Sequence, residues 1–211
     1  MKILVVGGGG REHAIIKKLK ENPAVTEIFA LPGNGGISAD ATCVPIGATD
    51  LDGIVQFVKE HPVDYAVVTP DDPLVLGCVD RLNEIGVPCF GPKQNAAVIE
   101  GSKAFAKDLM KKYHIPTARY ETFSDLQAAL DYVQAQPLPL VVKADGLALG
   151  KGVLICQTRE EAVNAVTDMM ANAKFGKSGS TVVIEEFLEG GFRTGIYGRQ
   201  NRKAYGILHG P

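Results

Sequence analysis

The sequence predicts an α/β protein: an open, mostly parallel sheet with helices over residues 1–100, followed by a second, smaller unit of strands and helices. Three observations predict it. Short apolar runs alternate with helix-like segments through the first hundred residues, and Gly- or Pro-rich turns follow several of those runs. Beyond Gly101 the pattern changes, and a Gly-rich stretch, Leu140–Ile155, separates two apolar runs. Strands alternating with helices imply parallel pairing, in which both sheet faces are covered and the ligand crevice lies at the carboxyl ends of the strands.

In chain order, Lys2–Val6 is a β-rich run, Gly7–Gly10 turns it, and Arg11–Asn22 has helical character. Glu27–Ala30 is a second strand, followed by the loop Leu31–Gly36. Asp50 is placed to cap a helix through Lys59, with Leu51, Ile54, Val55 and Val58 on one face. Val63–Val68 reads as a strand, Pro73–Ile85 as one helix opened by a proline and ended by Gly86, and Val87–Phe90 as another short strand. The domain boundary is expected near Ile99–Lys103. A helix runs from Gly101-Ser102-Lys103 to about Tyr113, with Phe105, Leu109 and Met110 at helical spacing. Tyr120–Phe123 is a strand, and Ser124 is read as the cap of a helix through about Gln134. A further helix starts near Thr158, with Glu160 and Glu161 in its first turn, where the dipole favours acids. Thr181–Ile184 is a strand, and Arg193–Tyr197 and Ala204–Leu208 are strand-like pieces of a Gly- and Arg-rich end.

Composition narrows the function. The chain has 211 residues, of which 45% are hydrophobic, enough for a real core. A net charge of −2 with interspersed signs gives no basic surface for nucleic acid. Cys43, Cys78, Cys89 and Cys156 are widely spaced without a C-x-x-C pair, which argues for free thiols in a reducing cytoplasm over zinc or disulfides. No basic-then-apolar leader opens the chain, and no apolar run approaches a membrane span.

Two stretches carry chemistry. The loop Gly7–His13 fails the G-x-G-x-x-G spacing, because Glu12 and His13 stand where the third glycine is needed, and the second strand ends in Phe29-Ala30-Leu31 without the ribose-binding acid. It does offer backbone donors at a helix start together with Arg11, which suits a phosphate monoester. His13 reads equally as a packed residue. The stretch Leu140–Ile155 delivers Lys143 at the end of one strand and Lys151 in the turn, among Gly146, Gly150 and Gly152. It lacks the Walker spacing and the helix that follows it, so a nucleotide would bind beneath a β-hairpin. An ordinary hairpin with exposed lysines remains open at this point.

In order and spacing, several segments resemble the phosphoribosylamine–glycine ligase (glycinamide ribonucleotide synthetase) family of ATP-grasp enzymes. They are Gly9-Gly10-Arg11-Glu12-His13, Pro32-Gly33-Asn34, Phe90-Gly91-Pro92, Glu100–Phe105 and Ile115–Ala118. Lys143–Ala148 with Gly150–Val153, and Glu185-Glu186-Phe187-Leu188, complete the set. The resemblance implies a Rossmann-like, pre-ATP-grasp domain over 1–100, the small ATP-grasp subdomain over 101–190, and a tail, 191–211, that departs from the pattern. It implies ATP-dependent ligation of glycine to 5-phosphoribosylamine through glycyl phosphate, with magnesium or manganese, by a cytoplasmic monomer without nucleic-acid or membrane partners. By the same resemblance Lys103, Lys143, Gly150, Lys151 and Gly152 serve the nucleotide phosphates, and Glu185, Glu186, Phe187 and Leu188 its base. Gly9, Gly10, Arg11, Glu12, His13, Asn34, Pro70 and Asp71 line the phosphoribosylamine pocket. No catalytic side chain is assigned.

The chain departs from the family pattern at Gly8, where Asn is usual, at Thr69–Leu74, where an acid is shortened and displaced, and after Gly190. The family's metal ligands are expected in a C-terminal half beyond residue 211, which points to a truncated or frame-altered form. Another ATP-grasp ligase or carboxylase, or a non-catalytic nucleotide- or phosphosugar-binding module, are the alternatives.

Overall fold

A computed structural model describes residues 1–147, 152–172 and 179–189. The chain divides into two compact units, the first Met1–Gly101 and the second starting at Ser102.

The first unit is a five-stranded, all-parallel sheet in the order β3-β2-β1-β4-β5. Its strands are β1 (Lys2–Gly7), β2 (Glu27–Pro32), β3 (Thr42–Cys43), β4 (Tyr65–Val68) and β5 (Cys89–Phe90). The helices are α1 (Gly10–Lys20), α2 (Leu51–Glu60), α3 (Asp71–Val75), α4 (Cys78–Glu84) and α5 (Gln94–Gly101). β1 is central, and its alternation builds both layers. Ile3 and Val5 pack with Ile16 of α1 and Ile37, whereas Leu4 and Val6 pack with Ile54 and Val58 of α2 and Leu82 of α4. This two-sided burial is why the run Ile3–Val6 is wholly apolar.

The second unit is a four-stranded antiparallel sheet in the order β6-β9-β7-β8. It comprises α6 (Lys103–Lys112), β6 (Tyr120–Phe123), α7 (Leu126–Ala135), β7 (Leu140–Ala144), β8 (Val153–Cys156), α8 (Arg159–Met170) and β9 (Val182–Glu186). Leu140, Val142, Ala144, Cys156, Val182 and Ile184 form one face of the sheet, packed under Ala129 and Val133 of α7 and Val166 and Met169 of α8. The register sets Val183, Glu185, Lys143, Val141, Tyr120 and Thr122 on the opposite face.

Three expectations are corrected. The helix expected over Pro73–Ile85 is two helices, α3 and α4, because Gly77 takes φ +91° between them, a conformation that stops a helix and favours glycine. It also begins before the proline, with Pro70 as the cap of α3. Helix α7 is capped by Asp125 rather than Ser124: the Asp125 carboxylate accepts from Ala128 N at 2.8 Å. The apolar spacing of Phe105, Leu109 and Met110 does not mark the buried face of α6, where Phe105 is 43% exposed and Lys107 only 7%. Asp50 and Thr158 do cap α2 and α8, the latter in a capping box with Glu161. Gly150, Lys151 and residues 190–211, with the strand pieces expected at 193–197 and 204–208, lie outside the described residues.

Ile16 is fully buried and is the main contact of α1 with the sheet. Replacing it with alanine is expected to lower unfolding stability by about 2–5 kcal/mol in urea titration. A loss below about 1 kcal/mol would show that this layer is not sealed.

Candidate functional site

In the first unit, three loops meet at the carboxyl edge of the sheet. Gly7 ends β1 at φ +126°, and a side chain there would run into Pro70 and Glu12. Glu12 lies in the first turn of α1 yet is 4% exposed. Its carboxylate accepts from Gly9 N at 2.7 Å and from Thr69 Oγ1 at 2.6 Å, so it ties the loop after β1 to the loop after β4. Asn34 ties in the loop after β2: its Nδ2 donates to Gly8 O at 2.7 Å, and its Oδ1 accepts from Gly36 N and Ile37 N at 2.8 and 2.9 Å. The junction lies beside the crevice position between β1 and β4, where the strand order reverses.

What is left on this rim points outward. Arg11 is exposed and makes no ion pair among the described residues, and the space over the Gly10 Cα is open. Glu12 and Asn34 are thus spent on holding the loops, while Gly10 and Arg11 are available to an anion at the N-terminus of α1. His13 is not simply packed: its Nε2 pairs with Asp40 Oδ2 at 2.9 Å. Beside Thr69, a cavity of about 470 Å³ runs along β4 and β5 to Leu74, Cys89, Phe90 and Pro92. Pro70 and Asp71 open α3 next to this cavity.

Asp40 also accepts from Lys20 Nζ at 2.9 Å, and Lys17 is 3.8 Å away. Lys20 foremost, then His13, hold its carboxyl down at about 2, from an ordinary 3.8. Burial pushes the Cys78 thiol up to about 12 and Cys89 up to about 11, and raises Cys156 as well, so none is a ready nucleophile.

In the second unit the start of α6 is bolted to the end of β7. Asp145 Oδ1 accepts from Ala104 N at 2.7 Å and from Ser102 Oγ at 3.0 Å, and Ser102 caps the helix by accepting from Phe105 N. Lys103 Nζ donates to Gly146 O at 2.9 Å, which sets it at the first turn of the Gly-rich stretch. On the sheet face away from α7 and α8, Glu185 is 5% exposed and stands between two lysines. Its Oε2 is 3.0 Å from Lys107 Nζ, and its Oε1 is 2.9 Å from Lys143 Nζ. Glu185 and Glu186 are the last residues of β9, so the expected base-reading segment begins inside a strand. The Glu186 side chain is taken by Arg119, whose backbone N and Nε lie at 2.8 and 2.6 Å, and these bonds hold its carboxyl below the usual range. Phe187 and Leu188 follow the strand, partly and well exposed respectively, and Gly152 is buried just before β8.

Asp40 and Lys107 are the residues that sequence reasoning missed, while Thr69 and Asp145 lay inside segments it singled out and were given no role of their own. For Lys107 a signal existed, since Lys103, Ala106, Lys107 and Met110 share one helical face. For the others, only the fold brings the partners together.

A doubly wound parallel unit followed by a helix-backed antiparallel sheet is the architecture of the N-terminal half of an ATP-grasp protein. Comparison with known proteins agrees. Residues 1–100 match the family model "Phosphoribosylglycinamide synthetase, N domain", and residues 101–195 match its "ATP-grasp (A) domain". The chain belongs to the phosphoribosylglycinamide synthetase family. It is similar to the phosphoribosylamine–glycine ligase of Vibrio vulnificus, 51% identical over 192 residues, covering 90% of this chain and 45% of that protein. The ligase of Halalkalibacterium halodurans is 50% identical over 190 residues, covering 90% and 44%. Among solved structures, the Thermotoga maritima phosphoribosylamine–glycine ligase superposes with a TM-score of 0.75 at 33% identity, over 90% of this chain and 45% of that one. The biotin carboxylase domain of Hydrogenobacter thermophilus 2-oxoglutarate carboxylase shares the fold, with a TM-score of 0.72 at 20% identity over 89% and 44%. The chain spans about half the length of the curated relatives it matches. Among the described residues, no helix is long and apolar enough to cross a membrane.

The depressed Asp40 carboxyl stabilises the fold above its ordinary value of 3.8, and that contribution is lost as pH falls through about 2. Urea unfolding of the wild type and Asp40→Asn should show a stability gap near pH 5 that closes as pH falls toward 2; parallel profiles over that range would remove Asp40 as the cause.

Proposed function

We propose that the chain serves ATP-dependent ligation of glycine to 5-phosphoribosylamine, giving glycinamide ribonucleotide, ADP and phosphate through glycyl phosphate. The observation that carries the proposal is the continuous match of both units to this one family. The site chemistry supports it. The rim of the first unit suits a phosphate monoester, with Gly10 N at a helix start, Arg11 beside it and His13 braced by Asp40. On this reading Gly9, Glu12 and Asn34 set the shape of the phosphoribosylamine site through their loop contacts, and Pro70 and Asp71 border it.

The second unit suits the nucleotide. Lys143 reaches the phosphates from the end of β7, and Lys103 stands at the turn that leads to Gly150, Lys151 and Gly152. Glu185 to Leu188 meet the base at the end of β9. In such a reaction the protein contributes position and charge, and a preorganised lysine stabilises the transferring phosphoryl group without a covalent step. Among the described residues no group of three or more His, Cys, Asp or Glu could hold a metal ion. These residues therefore do not fit the family's divalent cation by themselves.

ADP release by the purified chain is measured with ATP, magnesium, glycine and freshly made phosphoribosylamine, omitting each in turn. The proposal expects release that needs glycine and phosphoribosylamine together and falls about 100-fold in Lys143→Ala. Release supported by another carboxylate or by bicarbonate, and not by glycine, would move the chain to a different ATP-grasp reaction. Absence of release, with ATP affinity unchanged in Lys143→Ala, would leave a binding module with no role for this lysine.

A further inference from the structure

The cluster around Glu185 holds one more positive charge than it needs. Glu185 contributes a single carboxylate, and Lys107 from α6 and Lys143 from β7 both face it. The other charged groups nearby are already committed. Glu186 is bound to Arg119, and the Tyr120 hydroxyl donates to Asp108 at 2.8 Å. Burial foremost, then Asp108, pushes the Tyr120 phenol up to about 12, so it stays neutral.

The two lysines are held differently. The Lys107 side chain is 9% exposed, and its Nζ donates to Thr117 Oγ1 at 2.7 Å, touches Glu185 Oε2 and lies 5.4 Å from the centre of the Tyr120 ring. Two oxygens and a ring face thus flank that ammonium. The Lys143 side chain is 23% exposed, and no other contact is found for its Nζ among the described residues. Its approach to Glu185 Oε1 is close but lacks hydrogen-bond alignment, which leaves Oε1 buried without a hydrogen bond. One lysine is fixed, and the other is near the carboxylate yet poorly bonded to it.

We propose that Lys107 is a positioning residue. It keeps the Glu185 carboxylate compensated, so that Lys143 can turn from Oε1 to an anionic ligand without abandoning a buried charge. Breaking a buried ion pair is costly because the remaining charge is left bare. With Lys107 in place the carboxylate retains a partner when Lys143 moves, and the surplus positive charge of the cluster goes to the ligand. This inference rests on the reading of Lys143 as a phosphate contact.

The test is trace acetylation of the folded chain with isotope-labelled acetic anhydride, read lysine by lysine by mass spectrometry, without and with ATP. Lys107→Met leaves Glu185 to Lys143 alone and is expected to slow Lys143 acetylation about tenfold, the effect of one pK unit. Lys107→Arg, which keeps the charge, is expected to stay near wild type. Glu185→Gln should speed Lys143 acetylation and cancel the effect of Lys107→Met in the double variant. A Lys143 rate within about twofold of wild type in Lys107→Met overturns the proposal, as does an equal slowing in the Glu185→Gln background. Should Lys107→Met fail to fold by circular dichroism, an unchanged Lys143 rate in Glu185→Gln overturns it instead. Protection of Lys143 by ATP in the wild type tests the nucleotide reading separately: its absence, with the Lys107 dependence intact, sinks that reading and leaves Lys107 only as the compensating charge of Glu185.

Discussion

Taking a carboxylate out of water costs several kcal/mol unless donors or cations replace its hydration. Each unit of this chain is arranged around one carboxylate treated in this way. Glu12 is satisfied by a backbone amide and a hydroxyl, neutral donors from two different loops, and the result is a fixed edge on the parallel sheet. Glu185 is charge-compensated by two ammonium groups from a helix and a neighbouring strand, with its Oε1 left without a hydrogen bond, and the result is a charged cluster on the face it shares with Val141 and Val183. The difference matters chemically. Neutral donors leave the first site without added positive charge, so any anion must be met by Arg11 and the helix end. The second site carries its own.

Much of the architecture was legible in the residues. The unbroken apolar run Ile3–Val6 announced a strand covered on both faces, and Asp50, Ser102 and Thr158 announced helix starts, because capping is a local interaction between residues three apart. Where two local signals competed, the reading failed. Ser124 and Asp125 are both good caps, and the choice between them is made by where α7 must sit on the sheet. Pro73 looked like a first helical residue, yet the turn had begun at Asp71, and Gly77 split the helix.

The candidate site was legible as segments and not as contacts. Gly9–His13, Asn34 and Thr69–Asp71 could each be seen, but the bond from Thr69 to Glu12 joins residues 57 apart in sequence. Helical periodicity misjudged α6, because a lysine lies on its inner face and a phenylalanine on its outer one. The helical face that Lys107 shares with Ala106 and Met110 points to a buried cation without establishing one. The cation is established only once the strand bearing its carboxylate is placed beside it, and that strand begins more than seventy residues later in the chain.

The order β6-β9-β7-β8 sets a schedule for building the second unit. Strand β9 pairs with both β6 and β7, yet it is the last of the four to be synthesised. As the chain leaves the ribosome, β7 and β8 can close their hairpin early, while β6 waits and one edge of β7 stays unpaired. The parallel unit waits as well, since one edge of β1 stays unpaired until β4 follows at Tyr65, yet no buried ion pair depends on that step. The second unit gains one of its two inner strands and the carboxylate that gathers both lysines in a single late event. Until then Lys107 has no counter-ion in the sheet, and the nascent sheet exposes open edges to any neighbouring chain.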